Sequence, residues 1–239
     1  MTQIFFDDFS VKSTNLPGNW RVEKNSDMQT YACEIKDETF SLLSPGDKFL
    51  PIIDPVKNAQ VSFQLRIENQ FSVIYEFLIS FRYDSLRRRG ECIRIIANKH
   101  QNMRKIQYGE NIDNYFVLHE ELDCTVADDE FYDFLPANLT FQEDDMSLNL
   151  ADKDFSFKSR NKDQAGLIAI SRGAMLCTAD IKNFKILADK APELISEKKF
   201  RVALPQQPVV QAFYCDLNFK EFAEYYELEL SLDGGVKYT

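Results

Sequence analysis

The sequence predicts an all-β fold, a two-sheet antiparallel sandwich with a short C-terminal extension. Three observations carry this. About a dozen strand-length segments alternate apolar and polar residues at short spacing, and few stretches show helical periodicity. The 239 residues include 20 Phe and 10 Tyr but only 8 Gly, a balance that suits sheets rather than glycine-rich phosphate-binding folds. The alternating runs are long, as in antiparallel sheets with one packed face.

The elements follow in chain order. Residues 31–35 and 39–43 read as short strands joined at Lys36-Asp37-Glu38. Residues 50–55 carry two prolines and are expected as loop or sheet edge. In 60–68, Val61, Phe63, Leu65 and Ile67 share one face, and Gln60, Ser62, Gln64 and Arg66 the other. In 72–83 the apolar face is Val73, Tyr75, Phe77, Ile79, Phe81 and Tyr83; Ile74, Glu76, Leu78, Ser80 and Arg82 oppose it. In 91–98, Ile93, Ile95 and Ala97 oppose Cys92, Arg94, Ile96 and Asn98. Residues 103–108 and 115–122 are further strands. Residues 138–158 read as three strands joined by turns at Glu143-Asp144-Asp145 and Ala151-Asp152-Lys153-Asp154. Strands at 165–171 and 181–187 close the series, so the sandwich is expected over residues 1–188.

Residues 189–239 read as a C-terminal extension. A charged linker with Pro192 leads to a break at Pro205-Gln206-Gln207-Pro208 and a short helical turn near Phe219–Tyr226 running into a strand. Asp233-Gly234-Gly235 is a hairpin signal with Val236–Thr239 as the returning strand. The segment is therefore expected to begin a second β-rich domain of a longer chain.

The charge excludes some partners. With 28 Lys and Arg against 38 Asp and Glu, the net charge of -10 repels a phosphate backbone or an anionic membrane surface. Neither nucleic acid nor membrane is expected as a partner. No signal-peptide pattern opens the sequence, and the five cysteines (Cys33, Cys92, Cys124, Cys177, Cys215) are scattered without a C-x-x-C. They read as buried free thiols of a cytoplasmic protein, or of a secreted one if a leader has been removed. No phosphate-binding glycine loop and no G-x-S-x-G occurs, and His100 and His119 have no zinc-ligand spacing, so no cofactor beyond a structural ion is expected.

Three stretches together resemble the concanavalin A-like lectin/glucanase superfamily over about residues 1–188. They are Phe5-Phe6-Asp7-Asp8-Phe9-Ser10 followed by Trp20-Arg21-Val22; the strand, polar turn and strand of 139–150; and Ala165-Gly166-Leu167-Ile168-Ala169-Ile170 leading to Asp180–Ile186. The resemblance implies a jelly roll with its first and last strands side by side and a concave sheet that often binds carbohydrate. It also implies a structural calcium near the terminal strands, for which Asp7 or Asp8, with Asp180, would supply carboxylates. Glucanases of this fold carry Glu-x-Asp-x-x-Glu on one strand. Here Glu121-Leu122-Asp123-Cys124-Thr125-Val126 puts a valine in the last place, so that catalytic pair is incomplete.

The residue pattern offers its own site. If Val61, Val73 and Ile93 point inward, the opposite face presents Gln64, Arg66, Glu76, Ser80, Arg82 and Arg94. Planar polar side chains of this kind hydrogen-bond sugar hydroxyls, and Trp20 is either a stacking platform or a core residue. A plain ion pair of Glu76 with Arg82 or Arg94 is the competing reading of the same face. Leu78 and Ile96 lie there too, which leaves room for a cover such as the C-terminal segment. The expected function is a carbohydrate-associated module: a glycan binder, or an accessory domain of a larger glycoside-processing enzyme. The alternatives are a glycoside hydrolase with a non-standard carboxylate pair built on Glu76, and a non-catalytic scaffold.

Overall fold

A computed structural model describes residues 1–11, 16–25, 33–68, 74–127, 130–173 and 177–189, and the backbone of Leu230–Leu232 and Val236–Tyr238. The chain forms two compact units, Met1–Ile195 and Ser196–Thr239. In the second, Leu230–Leu232 pairs antiparallel with Val236–Tyr238. The linker and helical turn expected before this hairpin lie outside the described residues.

The first unit holds fifteen described strands: β1 (Thr2–Asp7), β2 (Trp20–Glu23), β3 (Cys33–Lys36), β4 (Thr39–Leu42), β5 (Lys48–Pro51), β6 (Ala59–Glu68), β7 (Ile74–Asp84), β8 (Arg89–Asn98), β9 (Met103–Ile112), β10 (Tyr115–Asp123), β11 (Leu135–Gln142), β12 (Asp145–Leu150), β13 (Lys153–Lys158), β14 (Leu167–Arg172) and β15 (Thr178–Ala188). Sheet I runs β13-β12-β11-β6-β15-β4-β3, with β1 also on β15. Sheet II runs β10-β9-β8-β7-β14-β5-β2. The first and last strands lie side by side, with Thr2 opposite Ala188 and Asp7 opposite Phe184.

Alternation builds the core between the sheets. Val61, Phe63, Leu65 and Ile67 of β6 turn inward, as do Tyr75, Phe77, Ile79 and Phe81 of β7. Rings from the two sheets meet: Phe63 with Phe77 at 5.9 Å and Phe81 with Phe141 at 4.8 Å. Each such buried side chain contributes about 1.5–3 kcal/mol.

Two details change. The proline-bearing segment 50–55 is loop over residues 52–55 as expected, but Leu50 and Pro51 end a strand, β5, which lies second from the rim of sheet II, between β14 and β2. It tolerates Pro51 because the proline ends the strand. The second change is in β7. Phe81 pairs with Glu91 and Asp84 with Arg89, so Arg82 and Tyr83 together oppose Gly90. This is a β-bulge, with Arg82 in the left-handed region at φ 49. The extra residue reverses the alternation. Arg82 turns inward, and Tyr83 turns outward to join Leu50, Leu167 and Ala169.

Arg82 is 0% exposed and closes one end of the sandwich. It donates to Glu91 Oε2 (2.9 Å), Lys57 O (3.2 Å), Glu143 O (2.7 Å) and Ser159 Oγ. Glu91 also accepts from Tyr108 OH (2.5 Å) and Arg160 N (3.0 Å). The pair thus ties three connecting segments to sheet II.

Candidate functional site

The sequence-predicted residues fall into three places. Gln64 and Arg66 lie on β6, so they face outward from sheet I. Glu76 and Arg94 lie on β7 and β8 and face outward from sheet II, the opposite side of the sandwich. Alternation had put all of them on a face away from the core, but a sandwich has two such faces. Arg82 is on neither, for the reason given above. Trp20 is 3% exposed and fills the core. It lies among Phe5, Phe9, Phe40 and Phe184 at centroid distances of 5.1–6.0 Å. Its Nε1 donates to Asp7 Oδ2 at 2.8 Å, so the ring is a packed element rather than a stacking platform.

The acidic residues expected at a calcium site do not gather. Asp180 accepts Arg66 Nε at 3.0 Å, Arg66 Nη2 at 2.6 Å and Ser41 Oγ at 2.6 Å. Asp8 accepts the Ser10 amide, and Ser10 holds its carboxyl below the usual range. Asp7 pairs four residues along β15 from Asp180, roughly 13 Å at strand rise. Among the described residues, no three His, Cys, Asp or Glu side chains group as metal ligands.

On sheet II the outer face has two halves. The half over β5 and β14 is closed: Leu50, Tyr83, Leu167 and Ala169 are all buried. Tyr83 OH donates to Glu23 at 2.8 Å, and the buried Lys48 donates to Asn114. Burial lowers the Lys48 pKa and raises that of Tyr83.

The half over β7–β10 is partly open and polar. In register across it run Leu78, Arg94, Gln107 and Glu121. The adjacent row is Glu76, Ile96, Lys105 and Asp123. Glu76 pairs with Arg94, whose guanidinium sits 5.0 Å above the Phe116 ring. Gln107 Nε2 donates to Glu121 Oε2 at 3.0 Å, and Lys105 joins Glu121 (3.3 Å) to Asp123 (2.8 Å). The Gln107 bond and Lys105 hold Glu121 below the usual carboxylate range, and Lys105 does the same to Asp123.

Two glycines shape this surface. A Cβ on Gly109 would strike the Val117 carbonyl and the Phe116 ring, so its absence lets the ring lie across β9 under Arg94. A Cβ on Gly173 would strike the Glu76 carboxylate, which occupies that space. The sequence reading assigned no faces to β9 and β10 and so missed Lys105, Gln107 and Phe116. Alternation of Lys105, Gln107 and Gly109 with Ile106 and Tyr108 was the available signal.

No family model matches the chain, and no curated protein matches it by sequence. Solved structures do. A carbohydrate-binding module from Bacillus subtilis aligns with TM-score 0.54 at 12% identity, over 70% of this chain and 93% of that one. A Bacillus licheniformis β-glucanase aligns with TM-score 0.55 at 11% identity, over 80% and 99%. A β-1,3-1,4-glucanase from a mouse hindgut metagenome gives 0.54 at 12%, over 78% and 99%. The fold is a concanavalin A-like jelly roll. Within this jelly roll, Glu121 and Asp123 share the outer face of β10, while Val126 is buried in the core. The missing third carboxylate is thus replaced by a packing residue.

Proposed function

We propose that this chain is a carbohydrate-associated β-sandwich module, whose residues 1–188 bind glycan on the outer face of β7–β10. One observation carries the reading. Glu76 with Arg94 and Gln107 with Glu121 form two bonded pairs of planar hydrogen-bonding side chains that lie side by side across four strands. Such groups orient sugar hydroxyls, and Phe116 with its stacked Arg94 adds a flat surface. The fold shared with carbohydrate-binding modules and glucanases supports this.

Recognition suits these carboxylates better than hydrolysis does. A general acid needs a carboxyl that keeps its proton near neutral pH. Glu121 and Asp123 are pushed the other way, and Glu76 is paired with Arg94.

The test is a glycan-array screen, then titration of hits against Glu76→Ala, Gln107→Ala and, on the opposite sheet, Gln64→Ala. Binding lost in the first two and kept in the third is expected. Binding lost only in Gln64→Ala would move the site to sheet I, and no hit with folded protein would refute the reading.

A further inference from the structure

Two buried polar atoms of the β7–β10 face lack a hydrogen bond, Arg94 Nε, which still stands in an ion pair with Glu76, and an oxygen of Gln107. Gln107 is 8% exposed, and its Oε1 is buried without a hydrogen bond. The amide orientation is set, because Nε2 donates to Glu121. A buried acceptor left unpaired costs free energy that a ligand donor would recover. Arg94 stands in register beside Gln107 and carries guanidinium donors. An acceptor and a donor side by side fit a group that both donates and accepts, which is a hydroxyl. A phosphate, sulfate or carboxylate group offers only acceptors, so the group that meets Gln107 Oε1 is a sugar hydroxyl; acidic sugars keep hydroxyls too, and it is charge that disfavours them.

Charge points the same way. The cations of the face are already engaged, Arg94 by Glu76 and Lys105 by Glu121 and Asp123. Glu76, Glu121 and Asp123 outnumber them, and the whole chain carries -10. An anionic ligand would therefore displace an existing ion pair and meet like charge.

Building on the glycan-binding reading, we infer that the ligand is a neutral sugar residue that donates a hydroxyl to Gln107 Oε1, and that the site refuses uronic-acid and sulfated glycans. Gln107 is then a specificity-determining residue, and Arg94 presents the matching donor.

The experiment is calorimetric titration of the full chain with neutral oligosaccharides and with carboxylated and sulfated counterparts of matched length, at low and high salt. Neutral ligands are expected to bind at least about tenfold tighter than acidic ones, with little salt dependence. Gln107→Met removes Oε1 and is expected to weaken neutral binding about three- to tenfold. Glu121→Ala removes the bond that orients the Gln107 amide but keeps the amide, which can still turn its oxygen to the ligand, and is expected to weaken binding less. Trp20 fluorescence checks that each variant is folded. Acidic glycans binding as tightly as neutral ones, with affinity falling at high salt, would overturn this inference and leave glycan binding standing. Neutral binding unchanged in Gln107→Met would overturn the role of Oε1. No binding by any glycan would overturn the parent reading instead.

Discussion

Replacing Arg82 is expected to unfold the protein more readily rather than to alter a binding surface. The side chain is fully buried and paired with Glu91, which is also 0% exposed. Arg82→Met removes one partner of a buried pair and leaves the Glu91 charge without its counter-ion, a change that costs about 3–5 kcal/mol. It also strips a donor from the Glu143 carbonyl, at 2.7 Å, and the guanidinium from above Phe141. At about 2–4 °C per kcal/mol for a chain of this size, the melting point should fall by roughly 6–20 °C. Glu91→Gln keeps an acceptor for Tyr108 and Arg160 but removes the charge, so the two changes should not add. The double variant should recover about 1–3 kcal/mol of the summed losses. Urea unfolding followed by fluorescence is the assay. Trp20, the single tryptophan, is buried in the sandwich and reports on that unit. A loss below about 1 kcal/mol in Arg82→Met, or additivity within about 0.5 kcal/mol, would refute the argument.

Three further outcomes follow from the geometry. Burial pushes the Cys92 thiol up to about 12, so it should resist Ellman's reagent until the protein is denatured; labelling of Cys92 at native rates would contradict its packing. Gln107 and Lys105 lower the Glu121 pKa, so its folded-state stabilisation is present above the unfolded pKa and fades as pH falls through the folded one. An NMR titration should show the Glu121 midpoint rising in Lys105→Ala, and an unmoved midpoint would break the pairing. Gly173→Ala should push Glu76 off Arg94 and weaken glycan binding with little change in melting temperature, since the displaced atoms are the end of a flexible side chain; intact binding would remove Glu76 from the site.

Most of the sandwich was legible because alternation is local. Val61 to Ile67 and Tyr75 to Phe81 announce their inward faces residue by residue; burial follows the pattern in β6, while in β7 the outer-face Leu78 and Ser80 are buried as well. Two things were not local. Which sheet a strand joins depends on partners far along the chain: β6 pairs with β11 and β15, and β7 with β8 and β14. That choice separated Gln64 and Arg66 from Glu76 and Arg94. A bulge is the other. Nothing in Phe81-Arg82-Tyr83 marks the extra residue, because it is imposed by pairing on both sides, where Tyr83 meets Leu167 and Ala169 meets Ser80. An arginine read as surface became a core ion pair, and a tyrosine read as core moved outward.

The proposed site also depends on what is missing. Side chains that carry chemistry attract attention in a sequence, and Glu76 and Arg94 were found that way. Gly109 and Gly173 carry none, yet each empties the volume that a site residue fills, the Phe116 ring in one case and the Glu76 carboxylate in the other. Their positions shape the surface on both sides of Arg94. The two places differ: at Gly109 a Cβ would meet the Val117 backbone carbonyl, which cannot move aside, whereas at Gly173 it would meet the end of the Glu76 side chain, which can. The Phe116 ring lies between Gly109 and the Arg94 guanidinium, and Glu76 between Gly173 and the same arginine. Two voids therefore border the partners of one side chain, Arg94, which stands beside the unpaired acceptor of Gln107.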